Sequence, residues 1–340
     1  MTIRIICLEE HVFDPALAEV SSVMFGQDAP YWFDQGTAFQ DDPTPQDRPR
    51  NNPPGRAVEL TRDTPDARLK AMDADGIDMQ ILSYTHPAQG APAQAATVAN
   101  DRLAAMVRHA PTRLGGFCTL PWLDVPAAVA EVERCRALGS VGALIAGRPS
   151  GDGFLDDPRF EPVLARLAEL DMPLYVHPGP PLRQVQQPYY GGFSPEVTAR
   201  LSLFGYGWHN EAGAQVVRLI LAGVFDRHPK LRVISGHWGE MVPFMLQRMD
   251  DTMPPAATGL RRTISETYRE QVYVTPSGML YLPQFNFCRE VLGAGRIMFA
   301  VDYPYLTMAG ARRWLETLDI PDRERALIAH GNAEALLRLG

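Results

Sequence analysis

The chain has 340 residues, 46% of them hydrophobic and 21% charged, with a formal net charge of -8. That length can bury a large core, and the composition is that of a soluble globular protein of enzyme size. Lys and Arg are scattered rather than gathered on one face, so nucleic acid is excluded as the expected partner, while a small anion drawn in by local cations is not.

In chain order, short apolar runs alternate with amphipathic segments. The first predicted strand, Ile3–Leu8, runs into Glu9, Glu10 and His11, and the helix Thr64–Ala74 follows, with Pro65 as a first-turn signal. Next come strand Met79–Ser83, helix Ala96–His109, strand Leu114–Leu120, helix Val125–Leu138, strand Val141–Ala146 and helix Pro158–Leu170. Strand Pro173–Val176, helix Ala212–Phe225, strand Arg232–Ser235, helix Val242–Asp251 and strand Val272–Val274 continue the alternation. Helix Leu280–Leu292, strand Ile297–Val301 and helix Ala309–Leu318 complete it. Near-continuous apolar runs suit parallel strands covered on both faces. Eight strands alternating with helices predict one α/β domain over residues 1–340, a (β/α)8 TIM barrel. An open doubly wound sheet is the structural rival, but no GxGxxG follows the first strand.

Two stretches interrupt the pattern. Residues 25–61 are rich in Pro, Asp, Asn and Gly around Tyr31, Trp32 and Phe33, and residues 178–202 hold Pro180, Pro181, Pro188, Tyr189 and Tyr190. They are predicted as long loops after strands 1 and 5, with aromatic side chains that either wall a pocket or pack on one another.

Cys7, Cys118, Cys135 and Cys288 form no CxxC pair, which suits buried free thiols in a reducing compartment. Arg4 interrupts the early isoleucines, unlike a signal peptide, and the apolar stretch 216–225 carries Arg218 and is too short for a bilayer. A cytoplasmic protein with no membrane contact is the expectation.

The chemistry-bearing residues lie at predicted strand ends: Glu9 and His11, His177, His237 with Glu240, and Asp302 with Tyr303 and Tyr305. Residues two apart on a strand face one side, so Glu9 and His11 can share the barrel mouth. Carboxylates and imidazoles suit Zn²⁺ or Mn²⁺. An isolated histidine is more often a cap, a core hydrogen-bonder or a surface residue, and that reading is favoured for His86, His109, His209, His228 and His330. It is weakest for His86 and His209, because both can approach the mouth. For the others, three histidines and an aspartate at strand ends together favour a metal or catalytic centre.

Several strings carry a family resemblance: Leu8-Glu9-Glu10-His11, Met72-Asp73-Ala74-Asp75-Gly76-Ile77-Asp78, Val176-His177-Pro178, Phe225-Asp226-Arg227-His228-Pro229, Gly236-His237-Trp238-Gly239-Glu240 and Asp302-Tyr303-Pro304. Together they resemble the decarboxylase branch of the amidohydrolase superfamily, which includes non-oxidative decarboxylases of γ-resorcylate, 2,3-dihydroxybenzoate and 5-carboxyvanillate. The Glu-x-His at strand one is the most discriminating element, since hydrolases of the superfamily more often carry His-x-His there.

The resemblance implies metal ligands Glu9, His11, His177 and Asp302 around one divalent ion, Mn²⁺ or Zn²⁺. It implies that His237 and Glu240 form a hydrogen-bonded pair beside the substrate, and that Arg248 reaches across a dimer interface to a substrate carboxylate. Tyr305 is similar to a substrate-contacting tyrosine of the carboxyvanillate enzymes. The expected reaction is loss of CO2 from a hydroxylated aromatic acid, with Asp302 as proton donor, in a homodimer or homotetramer. Two rivals accompany it: a hydrolase or hydratase of a lactone or unsaturated acid on the same barrel, and a non-catalytic metal-binding scaffold. The segment Gly207-Trp208-His209-Asn210 and the Tyr31-Trp32-Phe33 cluster match no motif of the better-known members.

Overall fold

The computed structural model describes residues 3–36, 48–85, 88–149, 151 and 153–339. Seven parallel strands form one sheet in sequence order: β1 Ile6–Val12, β2 Met79–Tyr84, β3 Leu114–Cys118, β4 Gly142–Ala146, β5 Leu174–His177, β6 Val233–Ser235 and β7 Val272–Val274. The segment predicted as the eighth strand makes isolated parallel bridges in place of a continuous ladder. Ile297 bridges Val274 on one side, while Phe299 and Tyr303 bridge Cys7 and Glu10 on the other. It therefore lies between the two ends of the seven-stranded sheet, and Leu8 N–H donates to the Phe299 carbonyl at 3.0 Å.

Alternation along each strand divides the core. Ile6, Leu8, Ile81, Phe117, Leu144, Tyr175, Ile234 and Met298 pack together on the inner face, closed at one end by Ala333 and Leu337. Cys7, Leu82, Val176, Val233 and Phe299 point outward, against helix residues such as Leu103, Val132, Leu164 and Leu219. Each fully buried aliphatic side chain contributes about 1.5–3 kcal/mol by leaving water.

The helices form where sequence supplies both ends. Thr64 accepts from the Ala67 N–H, Pro65 opens the helix Pro65–Asp75, and Gly76 stops it in the left-handed region at φ 71°. Helix Ile264–Gln271 was not among the predicted elements, although Thr263 and Glu266 form a reciprocal capping box at its start.

Two expectations need correction. The stretch 178–202 is largely helical, Arg183–Tyr190 and Pro195–Ser202, because Ser194 caps a helix that opens on Pro195. Residues 25–61 likewise contain the end of helix Pro15–Asp28, a short turn at Trp32–Asp34 and helix Pro54–Thr61, each longer helix having a proline in its first turn. Residues 37–47 of that stretch lie outside the described residues. No helix among the described residues is long and apolar enough to cross a membrane.

Candidate metal centre

Strand β1 delivers two of the site residues only because it carries an irregularity. Its register with β2 shifts between Cys7 and Glu10. Strict alternation from Ile6 and Leu8 would turn Glu10 inward. Instead Glu9 meets Tyr175 and Ser277 on the inner side, and Glu10 meets Gln80 and the Val301 N–H on the outer side. A bulge re-aims side chains in this way beside many active sites.

Glu9, His11, His177 and Asp302 present ligand atoms that all lie within 4.8 Å of one another. Glu9 and His11 are inaccessible, and His177 and Asp302 are 7% and 9% exposed. The His177 Nε2 is 3.3 Å from Glu9 Oε1, and the His11 Nε2 is 3.1 Å from Asp302 Oδ1. The second Glu9 oxygen accepts from the hydroxyls of Tyr175 and Ser277. Gly236 makes room for that arrangement: a Cβ there would stand 2.8 Å from Ser277 Oγ and 2.9 Å from Glu9 Oε2.

The electrostatics favour a cation among them. Glu9 Oε1 is buried with no hydrogen-bond partner, an expensive state for a carboxylate oxygen. Burial pushes the Glu9 carboxyl above its ordinary value, partly offset by His237. His177 donates its Nδ1 proton to the Pro178 carbonyl at 2.8 Å, which leaves the Nε2 lone pair facing the centre. Burial, reinforced by His11, lowers His177 to about 3, so it is neutral at pH 7 and fit to ligate. The two carboxylates of the cluster carry the charge that one divalent ion would cancel. The residues fit such an ion.

On the opposite side of Asp302 stands His237. Its Nε2 is 3.8 Å from Asp302 Oδ2, and its Nδ1 donates to Glu240 Oε1 at 2.7 Å. Burial opposes ionisation of Asp302, but the His11 hydrogen bond and the nearby His237 imidazole hold it at about 2. Burial would lower His237, yet the Glu240 and Glu9 carboxylates raise it well above the ordinary range. His237 and Glu240 meet on a left-handed turn. Residues His237, Trp238, Glu240 and Met241 have φ of 45°, 60°, 52° and 66°. Left-handed backbone costs about 1–2 kcal/mol per non-glycine residue, so the surrounding packing must hold it there.

Tyr305 lies beside the cluster, its ring 5.5 Å from that of His11 and its hydroxyl 2.9 Å from Thr85 Oγ1. Arg248 is exposed on helix Val242–Thr252 and outside the cluster. His86 lies outside the described residues. Of the loop aromatics, Trp32 stacks on Phe25 at 4.2 Å and Tyr189 meets Tyr190 edge-on, while Phe33 is 81% exposed. His209, for which the sequence favoured a cap, core or surface role, instead reaches the site: its Nδ1 is 2.8 Å from Glu240 Oε2. The cysteines are free and buried, as expected.

A family model described as amidohydrolase matches residues 30–339. The chain is 33% identical to the decarboxylase orsB of Emericella nidulans, covering 100% of this chain and 98% of that protein. It is 35% identical to a gamma-resorcylate decarboxylase of Rhodococcus jostii, over 82% of this chain and 88% of that one. Among solved structures, the dihydroxybenzoic acid decarboxylase of Polaromonas sp. JS666, with bound manganese and the inhibitor 2-nitroresorcinol, superposes with a TM-score of 0.81. It is 29% identical, and the match covers 99% of this chain and 97% of that one. With its strand-end cluster of two carboxylates and two histidines, this chain belongs to the amidohydrolase family, on its decarboxylase branch.

Proposed function

We propose that the protein is a metal-dependent, non-oxidative decarboxylase of a hydroxylated aromatic carboxylic acid. One observation carries the reading: Asp302 belongs to the four-residue cluster and also faces His237, so one carboxylate serves a cation site and borders a hydrogen-bonded His–Glu pair.

In this reading Glu9, His11, His177 and Asp302 hold one Mn²⁺ or Zn²⁺, since the donor set suits either. When bound, such an ion would supply Lewis-acid stabilisation of the negative charge on the substrate acid. Asp302, whose carboxyl is held below its ordinary range beside His11 and His237, takes up the proton that the substrate's ortho hydroxyl releases. It then delivers that proton to the ring carbon bearing the carboxylate. A C–H bond forms, the C–C bond breaks, CO2 leaves, and the bonding pair restores the aromatic ring. His237, fixed through Nδ1 by Glu240, presents Nε2 toward Asp302 and the bound acid. Tyr305 covers one side of the site through its contacts with His11 and Thr85. A proton from solvent neutralises the product phenolate, closing the balance at one proton consumed per turnover.

The wider architecture follows the same reading. The chain reads as one (β/α)8 barrel domain, with segment 297–303 as its eighth strand, a reading supported among the described residues by bridges on both sides of that segment. The described parts of the connections after strands 1 and 5 join through Tyr31–Gln187 and Arg200–Gln35, which supports their covering the mouth together. Arg248 shares helix Val242–Thr252 with Phe244 and Met245, 75% and 45% exposed, an apolar surround that supports a homodimer or homotetramer in which Arg248 reaches a partner's substrate. The four free cysteines support a reducing, cytoplasmic setting, and the net charge of -8 opposes nucleic-acid or membrane binding.

The test is product analysis on metal-loaded protein with a panel of ortho-hydroxybenzoates. Release of CO2 with one deuterium entering the ring from D2O is expected. Incorporation of solvent oxygen into a lactone or unsaturated acid, with no CO2 released from any panel member, would replace this reading with a hydrolase or hydratase.

A further inference from the structure

Glu240 is buried, and both of its carboxylate oxygens are engaged by histidines. His237 Nδ1 is 2.7 Å from Oε1, and His209 Nδ1 is 2.8 Å from Oε2. Carboxylate oxygens only accept, so each Nδ1 is the donor. The two imidazoles lie 4.4 Å apart, inclined at 64°. His209 has its own supports: Trp208 Nε1–H donates to its Nε2 at 3.2 Å, and the Phe204 carbonyl lies 3.0 Å from that same nitrogen. A partner for Nε2 therefore exists whether it is bare or protonated. Its backbone comes from helix Gly207–Leu221, which approaches the left-handed turn closely. At Gly213 a Cβ would lie 2.5 Å from the Glu240 carbonyl oxygen.

We infer that His209 is a positioning residue: it locks the Glu240 carboxylate so that His237 keeps Nε2 toward Asp302. Without His209, Oε2 is a buried acceptor with no donor, and the carboxylate turns to find one, releasing His237 Nδ1. The same three residues also lie close enough to be read as a cation cluster. Two N–H groups already pointing at Glu240 oppose that alternative. The inference rests on the decarboxylase reading for its kinetic consequence, but not for its geometry.

Side-chain shape supplies the test. From a common Cβ, the amide nitrogen of Asn falls where His carries Nδ1, whereas that of Gln falls nearer Nε2. His209→Ala is expected to lower kcat about 10- to 100-fold, the usual cost of losing such an orienting contact, with KM little changed. His209→Asn should recover most of that loss and His209→Gln should not. In zinc-loaded protein, the His237 Nδ1 proton should be slow to exchange in the unaltered chain and in His209→Asn, and fast in the Ala and Gln variants. A merely structural role would make activity follow thermal stability, with Asn and Gln alike; that result, or a His237 proton indifferent to all three changes, overturns the inference. Binding of a second zinc per chain that disappears in His209→Ala overturns it too. Should the unaltered chain decarboxylate nothing in the panel, the function proposed above fails while the proton measurement still decides on His209.

Discussion

Glu9 and Glu10 are neighbours on one strand, both carboxylates, both inaccessible to solvent. They end on opposite sides of the sheet and do different work. Burial pushes both above their ordinary value. On the outer side Glu10 is satisfied: it accepts the Val301 N–H at 3.0 Å and a Gln80 amide N–H at 3.2 Å. Gln80 in turn accepts from Arg68, whose guanidinium also donates to the His11 carbonyl and lies 4.6 Å from the Tyr303 ring. This network ties β1, helix Pro65–Asp75 and the closing segment together. On the inner side Glu9 keeps Oε1 without a partner. Residue type and burial do not separate a structural carboxylate from a functional one here; the unspent lone pair does.

The comparison can be broken at several points. The largest effect belongs to the inner side. Asp302→Asn should cut kcat by at least about a thousandfold, since it removes the only proposed proton donor, while circular dichroism still shows a folded α/β protein. Glu9→Gln should follow: its charge no longer helps cancel the ion's, so metal per chain falls, activity falls with it, and added Mn²⁺ restores only part. Glu10→Gln should do the reverse. It places an amide N–H against donors, costing about 1–3 kcal/mol in denaturant unfolding, and leaves the metal-loaded turnover close to that of the unaltered chain. If Glu10→Gln loses metal as readily as Glu9→Gln, the division between the two faces is wrong.

The pair His237–Glu240 sharpens the same distinction through pH. Glu240 is lowered below its ordinary 4.5: burial raises it, but His237 and His209 outweigh that. Its stabilising contribution is thus complete above 4.5 and lost as pH falls through the lowered value. His237 is raised above its ordinary 6.5, so its contribution is complete below 6.5 and lost as pH rises through the raised value. Urea unfolding should therefore show the largest gap between the unaltered chain and Glu240→Gln from pH 4.5 to 6.5, closing toward both extremes. A gap independent of pH would contradict the pairing. The smallest effect is that of Arg248→Ala, which belongs to neither face. It should raise KM by about tenfold, the value of one charge-assisted contact, with kcat nearly kept.

Much of this was legible in the sequence, for definite reasons. Parallel strands covered on both sides are largely apolar, so runs such as Met79–Ser83 and Val141–Ala146 stand out against their polar connections. His177 and Asp302 were legible because a polar residue closing an apolar run has few structural uses. The bulge in β1 left no trace: it changes where Glu9 points without changing a residue type. The left-handed turn at 237–241 was equally silent, since only one of its residues is glycine and the strain is borne by tertiary contacts. Proline-rich connections read as loops because proline signals a break, whereas at Pro195 and Pro54 it sits in the first turn of a helix. His209 escaped because it comes from a helix that returns over the site, where no strand-end rule applies.

The central claim is that Glu9, His11, His177 and Asp302 hold a single divalent ion. Anomalous diffraction from crystals grown with Mn²⁺, measured on either side of the manganese edge, tests it directly. One peak per chain is expected, within bonding distance of Glu9 Oε1, the two Nε2 atoms and an Asp302 oxygen. A peak elsewhere, or none in a crystal whose side chains match this arrangement, would contradict it.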